Sequence, residues 1–237
     1  MEMPVFAPAS PLSQAVFLVI VAGVIAAFLT GVGVAYGADP PRARRVTGLA
    51  ALGLTAWLGL VVLAVGSGWL ARLPMGGFPA FFGAVLAVSA AVALSPLGGR
   101  LALLPLGALV AFQAFRLPLE LVLHNWAAHG TIPETMTWSG QNWDIVSGVV
   151  ALAAAPWAGR RRALAWTANL VGAGLLLNVM RVAVMSAPVP FAWGVTPPLL
   201  LAWYLPYALI GPVAVGGALA GHIILTRALV GTAARPS

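Results

Sequence analysis

An all-α, polytopic membrane bundle of seven transmembrane helices is the fold this sequence predicts, and three observations carry it. Hydrophobic residues make up 61% of the chain and charged residues 7%, where a soluble domain carries about 25% charged residues. That leaves too little charge to clothe a water-facing surface, in keeping with a mean hydropathy of +1.00. Apolar runs long enough for a membrane helix, which needs about 20 residues, recur along the chain. The arginines fall mostly between those runs. The short alternating segments of a membrane β-barrel are not visible.

Taken in order, the runs predict spans at 13–35, 46–69, 78–97, 101–128, 144–158, 163–185 and 199–226, in a single domain covering 1–237. The first ends in a loop at 37–45 that holds Asp39, two prolines and Arg42, Arg44 and Arg45. A short turn with Arg72, Pro74 and two glycines joins the second to the third, and Gly98, Gly99 and Arg100 close the third tightly onto the fourth. A polar segment at 130–143 precedes the fifth, and Arg160, Arg161 and Arg162 follow it. A proline-rich connection at 187–198 leads into the seventh, and a short polar tail at 230–237 ends the chain. The fifth span covers only about 20 Å at 1.5 Å per residue, so it is expected to extend outward through Trp143 or to lie among its neighbours.

Seven spans put the loops alternately on two sides. Arg42, Arg44, Arg45, Arg100, Arg160, Arg161, Arg162, Arg227 and Arg235 then share one side, with only Arg72 in a loop on the other. By the positive-inside rule the N-terminus is expected outside and the C-terminus in the cytoplasm. Glu2, Glu134 and Asp144 fall outside. Trp69, Trp126, Trp138, Trp143, Trp157 and Trp193 sit where interface aromatics are expected. Gly33 with Gly37, and Gly217 with Gly221, have the spacing of close helix packing.

Composition removes several chemistries. The chain has no cysteine, hence no disulfide, thiolate nucleophile, thiolate-bound metal or lipidated thiol. It has no lysine to form a retinal Schiff base. The start lacks the basic region of a signal peptide, so the first run is expected to stay as a helix. The net charge of +7 is explained by topology rather than by nucleic acid.

What remains is a polar constellation in the fourth span. Gln113, Arg116, Glu120 and His124 follow at intervals of three and four, so they share one helix face. Facing lipid, the arginine alone would cost about 2.5 to 3.5 kcal/mol; the face must look into the bundle. Arg116 and Glu120 are one turn apart and can pair, and Pro118 frees the carbonyl of Ala114 and can bend the helix. Asn178 and Arg181 share a face of the sixth span at matching depth, with Asn169 deeper. Gln141, Asn142 and Asp144 stand at the entrance of the fifth, with Glu134 nearby.

Glu120, His124 and Asp144 are the candidates for acid–base chemistry, and Arg116, Asn142, Asn178, Arg181 and Glu134 for binding. Two arginines facing one buried carboxylate suit a small anionic ligand. Glu120 and His124, with Asp144 or Glu134, are the one set that can be written for a metal ion, though no metal or other cofactor is expected. His222 is read near the cytoplasmic end of the seventh span, too far from His124 to clamp a haem with it, and His129 as an interface residue. Pro206, Tyr204 and Tyr207 are read in the outer half of the seventh span. Partners are then the bilayer, a small anionic or polar ligand, and an unidentified oligomeric or membrane partner.

The segments 115–124 (FRLPLELVLH), 136–144 (MTWSGQNWD) and 178–188 (NVMRVAVMSAP) resemble a group of uncharacterised bacterial multi-pass membrane proteins. The resemblance extends from the third span to the end and implies the membrane fold without an activity. Asn178 and Arg181 are also similar to the arginine motif of exosortase-type membrane transpeptidases. Those enzymes use a cysteine nucleophile that this chain lacks, so their activity does not carry over. The first reading is an integral membrane protein of unassigned activity with a polar, outward-facing cluster. Its alternatives are a small transporter of an anionic or polar solute with a kinked helix at Pro118 or Pro206, a membrane enzyme with Glu120, His124 and one more acid within hydrogen-bonding reach, and an assembly protein whose polar groups form a closed lock.

Overall fold

The computed structural model describes residues 5–231; Glu2, Arg235 and the end of the polar tail lie outside them. Every regular element among the described residues is helical. Six helices are long and apolar enough to cross a membrane, and a seventh apolar helix is shorter.

Helix α1 (Pro11–Ala35) starts at Ser10, whose hydroxyl accepts from the Ser13 N–H at 3.3 Å. Helix α2 (Pro40–Gly66) starts earlier than the predicted 46–69. Asp39 caps it by accepting from the Arg42 N–H at 3.1 Å, and two prolines occupy the first turn. A proline there loses no hydrogen bond and brings its φ already set. Arg42, Arg44 and Arg45 are therefore helical residues rather than a loop.

Short helix α3 (Trp69–Arg72) and a 3₁₀ turn lead to α4 (Phe78–Leu94), which stops three residues before the predicted end at 97. Ser95 precedes Pro96 and adopts an extended conformation, as a residue before proline does; it then caps short helix α5 (Pro96–Leu101). Arg227 donates to the carbonyls of Ala93 and Ser95, satisfying the freed end of α4.

The predicted span 101–128 begins instead at Leu106. It consists of α6 (Leu106–Ala111), a 3₁₀ turn at Phe112–Phe115 and α7 (Arg116–Ala128). The tightening falls on the turn before Pro118, whose missing N–H leaves the Ala114 carbonyl without its usual partner. Helix α8 is Ile145–Ala158 and α9 is Arg162–Ser186.

The last span is Tyr207–Gly231, displaced from the predicted 199–226. Residues 199–206 form a 3₁₀ turn and irregular chain, so Tyr204 and Pro206 precede the span and no kink arises at Pro206. A π-helical turn at Ile210–Val215 contains Pro212, and α10 (Gly216–Gly231) follows.

Side-chain contacts fix the two ends of the bundle. At one end Trp126 Nε1 donates to Ser13 Oγ at 2.8 Å, and Tyr207 Oη accepts from the Ala9 N–H at 2.7 Å. At the other, the guanidinium groups of Arg42 and Arg100 both lie over the ring of Tyr36. Trp126 is thus a core residue rather than an interface aromatic, while Trp69, Trp143, Trp157 and Trp193 are exposed.

The core has an aromatic half around Phe17, Trp126 and Tyr207 and an alanine-rich half around Ala151, Ala154, Ala158, Ala165 and Ala168. Small side chains let helix backbones approach closely. A Cβ on Gly148 would stand 2.4 Å from the backbone nitrogen of Leu117, and one on Gly107 would stand 2.8 Å from the Ala155 carbonyl oxygen. Helix α8 therefore runs antiparallel to the α6–α7 span in near-backbone contact. Gly221 is used in the same way inside the chain, 2.4 Å from Gln113 Nε2 by the same measure.

Gly148→Ala should lower the thermal unfolding midpoint in detergent, because a backbone atom cannot yield; overpacking of this kind costs about 1–3 kcal/mol. Gly159→Ala, which meets nothing within 4 Å, should leave the midpoint unchanged.

Candidate functional site

The short α8 explains how the site is built. Arg116 lies 12 residues from the end of α7, about 18 Å down the helix. Asp144, immediately before α8, pairs with it through both carboxylate oxygens, with Nε to Oδ2 at 2.6 Å and Nη2 to Oδ1. The polar segment after α7 therefore descends into the bundle, and α8 starts near mid-depth. Non-helical backbone at such a level survives only when protein buries it. Here Thr131, Thr137 and Asn142 are buried, and the Asn142 N–H donates to the Thr137 carbonyl at 3.1 Å. Asp144 is accordingly not at an outer mouth, as its place before the fifth span suggested.

Arg116 is 1% exposed and makes four hydrogen bonds. Beyond the two to Asp144, Nη1 donates to the Gly172 carbonyl at 2.9 Å and contacts His222 Nε2 at 3.0 Å. Arg116 does not form the ion pair with Glu120 that the helical spacing allowed. The position of His222 is the larger correction. Helix α10 extends to Gly231, five residues past the predicted end, so His222 stands a further turn and a half from that end. It reaches the middle of the bundle instead of its margin. Gly172 makes room, since a Cβ there would lie 2.5 Å from His222 Cε1.

The network continues on both sides of the ion pair. His222 Nδ1 meets Asn169 Oδ1 at 2.9 Å, Asn169 Nδ2 donates to Thr226 Oγ1 at 2.7 Å, and Thr226 Oγ1 donates to the His222 carbonyl at 2.8 Å. One assignment fits every partner: a neutral imidazole with its proton on Nδ1, accepting from Arg116 at Nε2. On the other side, Ser147 Oγ donates to Asp144 Oδ1 at 2.9 Å, and the Asp144 N–H donates to Asn142 Oδ1 at 3.1 Å. Asn142 Nδ2 in turn donates to the carboxylate of Glu120, 2.9 and 3.1 Å from its two oxygens, and to the Met136 carbonyl at 3.1 Å. A continuous chain of polar contacts thus runs from Glu120 to Thr226, tying α7, α8, α9 and α10 together.

Glu120 occupies the end of this chain with fewer partners. It is 1% exposed, its side chain is bonded only by Asn142, and among the described residues the one ion pair is Arg116–Asp144. It helps line a cavity of about 90 Å³ that also touches Arg116 and Asp144 and is otherwise walled largely by apolar side chains, including Phe78, Phe81, Phe82 and Phe115.

The remaining predicted residues stand apart. His124 stacks on Trp138, with ring centroids 4.2 Å apart, and no hydrogen bond joins it to Glu120. Glu134 is exposed. Arg181 is also exposed; its guanidinium contacts Asn178 Oδ1 and Gln141 Oε1 and lies 5.3 Å from the Trp193 ring centroid. His129 is exposed at the end of α7. The buried group therefore holds one guanidinium and two carboxyl groups, instead of two arginines facing one acid. Among the described residues, no three acidic or histidine side chains gather as metal ligands, so Glu120, His124 and Asp144 do not form a ligand set. His222, Asn169, Ser147 and Thr226 are the members that the sequence left out or set aside; the placement of Asn169, His222 and Thr226 against Arg116 emerges only with α10 running on through Gly231.

Fold and site together define an apolar helical protein of membrane type with a buried polar chain. Compared with family models, curated proteins and solved structures, the sequence matches none.

Arg116→Leu should destabilise the protein by about 3–5 kcal/mol by leaving Asp144 buried without its cation. The double variant Arg116→Leu with Asp144→Leu should recover much of that loss in a double-mutant unfolding cycle in detergent.

Proposed function

We propose that this chain is a small permease-type protein of the bacterial inner membrane that exchanges a small organic ammonium ion for a proton at Glu120. The observation that carries the reading is the setting of Glu120: a buried carboxyl group, held by one amide, in the wall of a largely apolar cavity that includes four phenylalanines. Arg116 cannot serve as its counter-ion without giving up Asp144. A carboxyl group so placed is either neutral, carrying its own proton, or matched by a cation that enters the cavity. Phenylalanine rings in the wall suit the same class of ligand, because an aromatic quadrupole can attract an ammonium group. In the exchange the Glu120 O–H gives up its proton to water on the side from which the ammonium enters, and the resulting carboxylate pairs with the ammonium. The Arg116–Asp144–His222 group holds the helices around the cavity and takes no part in the transfer.

The same reading has seven crossings, an outer N-terminus and a cytoplasmic C-terminus. The fifth crossing is composite, with the buried polar segment covering the outer part and α8 the rest. The arginine distribution supports this orientation. The absence of native cysteine offers a direct check. Ser139→Cys should react with a membrane-impermeant maleimide in intact cells, and Gly159→Cys only after permeabilisation.

Dicyclohexylcarbodiimide, which attacks protonated carboxyl groups in apolar surroundings, should label Glu120 in the purified protein. Propylammonium should protect it, and Glu120→Gln should abolish labelling. Labelling that is absent, or indifferent to the amine, sinks the exchange reading and leaves the polar chain as a lock.

A further inference from the structure

A second cavity lies away from Glu120 and has a different chemistry. It measures about 870 Å³, within the upper range of ligand sites, about 300–1,000 Å³. Its walls come from α1, α2, the α4–α6 region and the last span. Helix α2 contributes to it by standing away from the bundle: α2 packs chiefly on α1, and Leu49, Leu52, Leu60 and Leu63 on it are exposed. The lining is overwhelmingly apolar, with Thr30 and Ser89 its hydroxyl groups.

Length and charge indicate what this groove takes. Along α1 it extends from Val24 to Val34, about 15 Å at the helical rise, which is half of a hydrocarbon core of about 30 Å. It is thus one leaflet deep. Just beyond Val34 stands Tyr36, with the guanidinium carbons of Arg42 and Arg100 at 5.5 and 5.8 Å from its ring centroid. Both arginines are exposed, and neither forms an ion pair with any described residue. Arg45 lies one turn beyond Arg42 on α2. A one-leaflet apolar groove ending in unpaired guanidinium groups is complementary to a phospholipid with an anionic head.

We propose that this groove is a binding site for an anionic phospholipid, with an acyl chain between α1, α2 and α4 and the phosphate at Arg42 and Arg100. The bound chain fills the space that separates α2 from the rest of the bundle. The lipid is then a structural ligand that holds α2 in place, independent of any exchange at Glu120.

Native mass spectrometry of the full chain in detergent, with phosphatidylglycerol or phosphatidylcholine added, tests the site. The wild type should retain phosphatidylglycerol in preference to phosphatidylcholine. Arg42→Gln with Arg100→Gln, both at exposed positions, should weaken phosphatidylglycerol binding by about 30-fold, whereas Arg160→Gln with Arg161→Gln should not. Gly53 lines the groove, and a Cβ there meets nothing within 4 Å, so Gly53→Phe should fill it and displace the chain. As a second readout, phosphatidylglycerol brominated along its chain should quench Trp57, a lining residue, measured as the difference from Trp57→Phe. Equal retention of the two lipids, binding indifferent to the Arg42/Arg100 change, or an unquenched Trp57 overturns the proposal. A dimer that persists while no lipid is retained would assign the groove to a second copy and overturn it as well.

Discussion

The pairing of Arg116 with Asp144 is the constraint on which the interior depends. An arginine at mid-depth in an apolar bundle is tolerable only when its charge is matched and its donors are used. Matching it requires a carboxylate at the same level, which no residue of α7 supplies in the right direction. The chain meets that demand by bringing the segment after α7 back down into the protein and starting α8 there. The shortness of α8, the glycine at its contact with Leu117 and the buried turn around Asn142 all follow from that requirement.

The polar chain built on this pair is asymmetric. Toward α10 every group has a partner, and the hydrogen-bond directions settle the imidazole tautomer. Such closure confers rigidity and leaves no group to spare for chemistry. Toward the cavity the chain ends on Glu120, whose only support is an amide that also bonds elsewhere. The contrast separates framework from working group within one network, and it does so by counting partners. Proximity alone would not: Arg116 and Asp144 touch the same cavity.

The sequence revealed the membrane class, the face carrying Arg116 and Glu120, and the importance of the segment before α8, since these depend on composition and on helical spacing. It concealed what depends on where helices end. Asp39 and two prolines looked like a loop because turn residues and helix caps use the same amino acids; the structure uses them as a cap. Ending the last span at 226 moved His222 out of the middle, and with it the groups around Asn169. Arg181 looked like a second buried cation because its spacing from Asn178 is right, yet it stands exposed outside the packed interior and bonds only to Asn178 and Gln141. The pairing of Arg116 with a residue 28 positions away belongs to tertiary structure, and no periodicity encodes it.

The buried polar segment and the short α8 also depend on their neighbours for stability. A helix of 14 residues falls short of the roughly 20 that partition into a bilayer unaided, and its first residue follows an aspartate. Helix α8 gains nothing by entering lipid alone, because Asp144 would arrive without a cation and the polar turn without its burial. It becomes stable only against α7, already in place with Arg116, and α9, which follows at once. The ion pair that organises the finished bundle is thus also what makes α8 part of it.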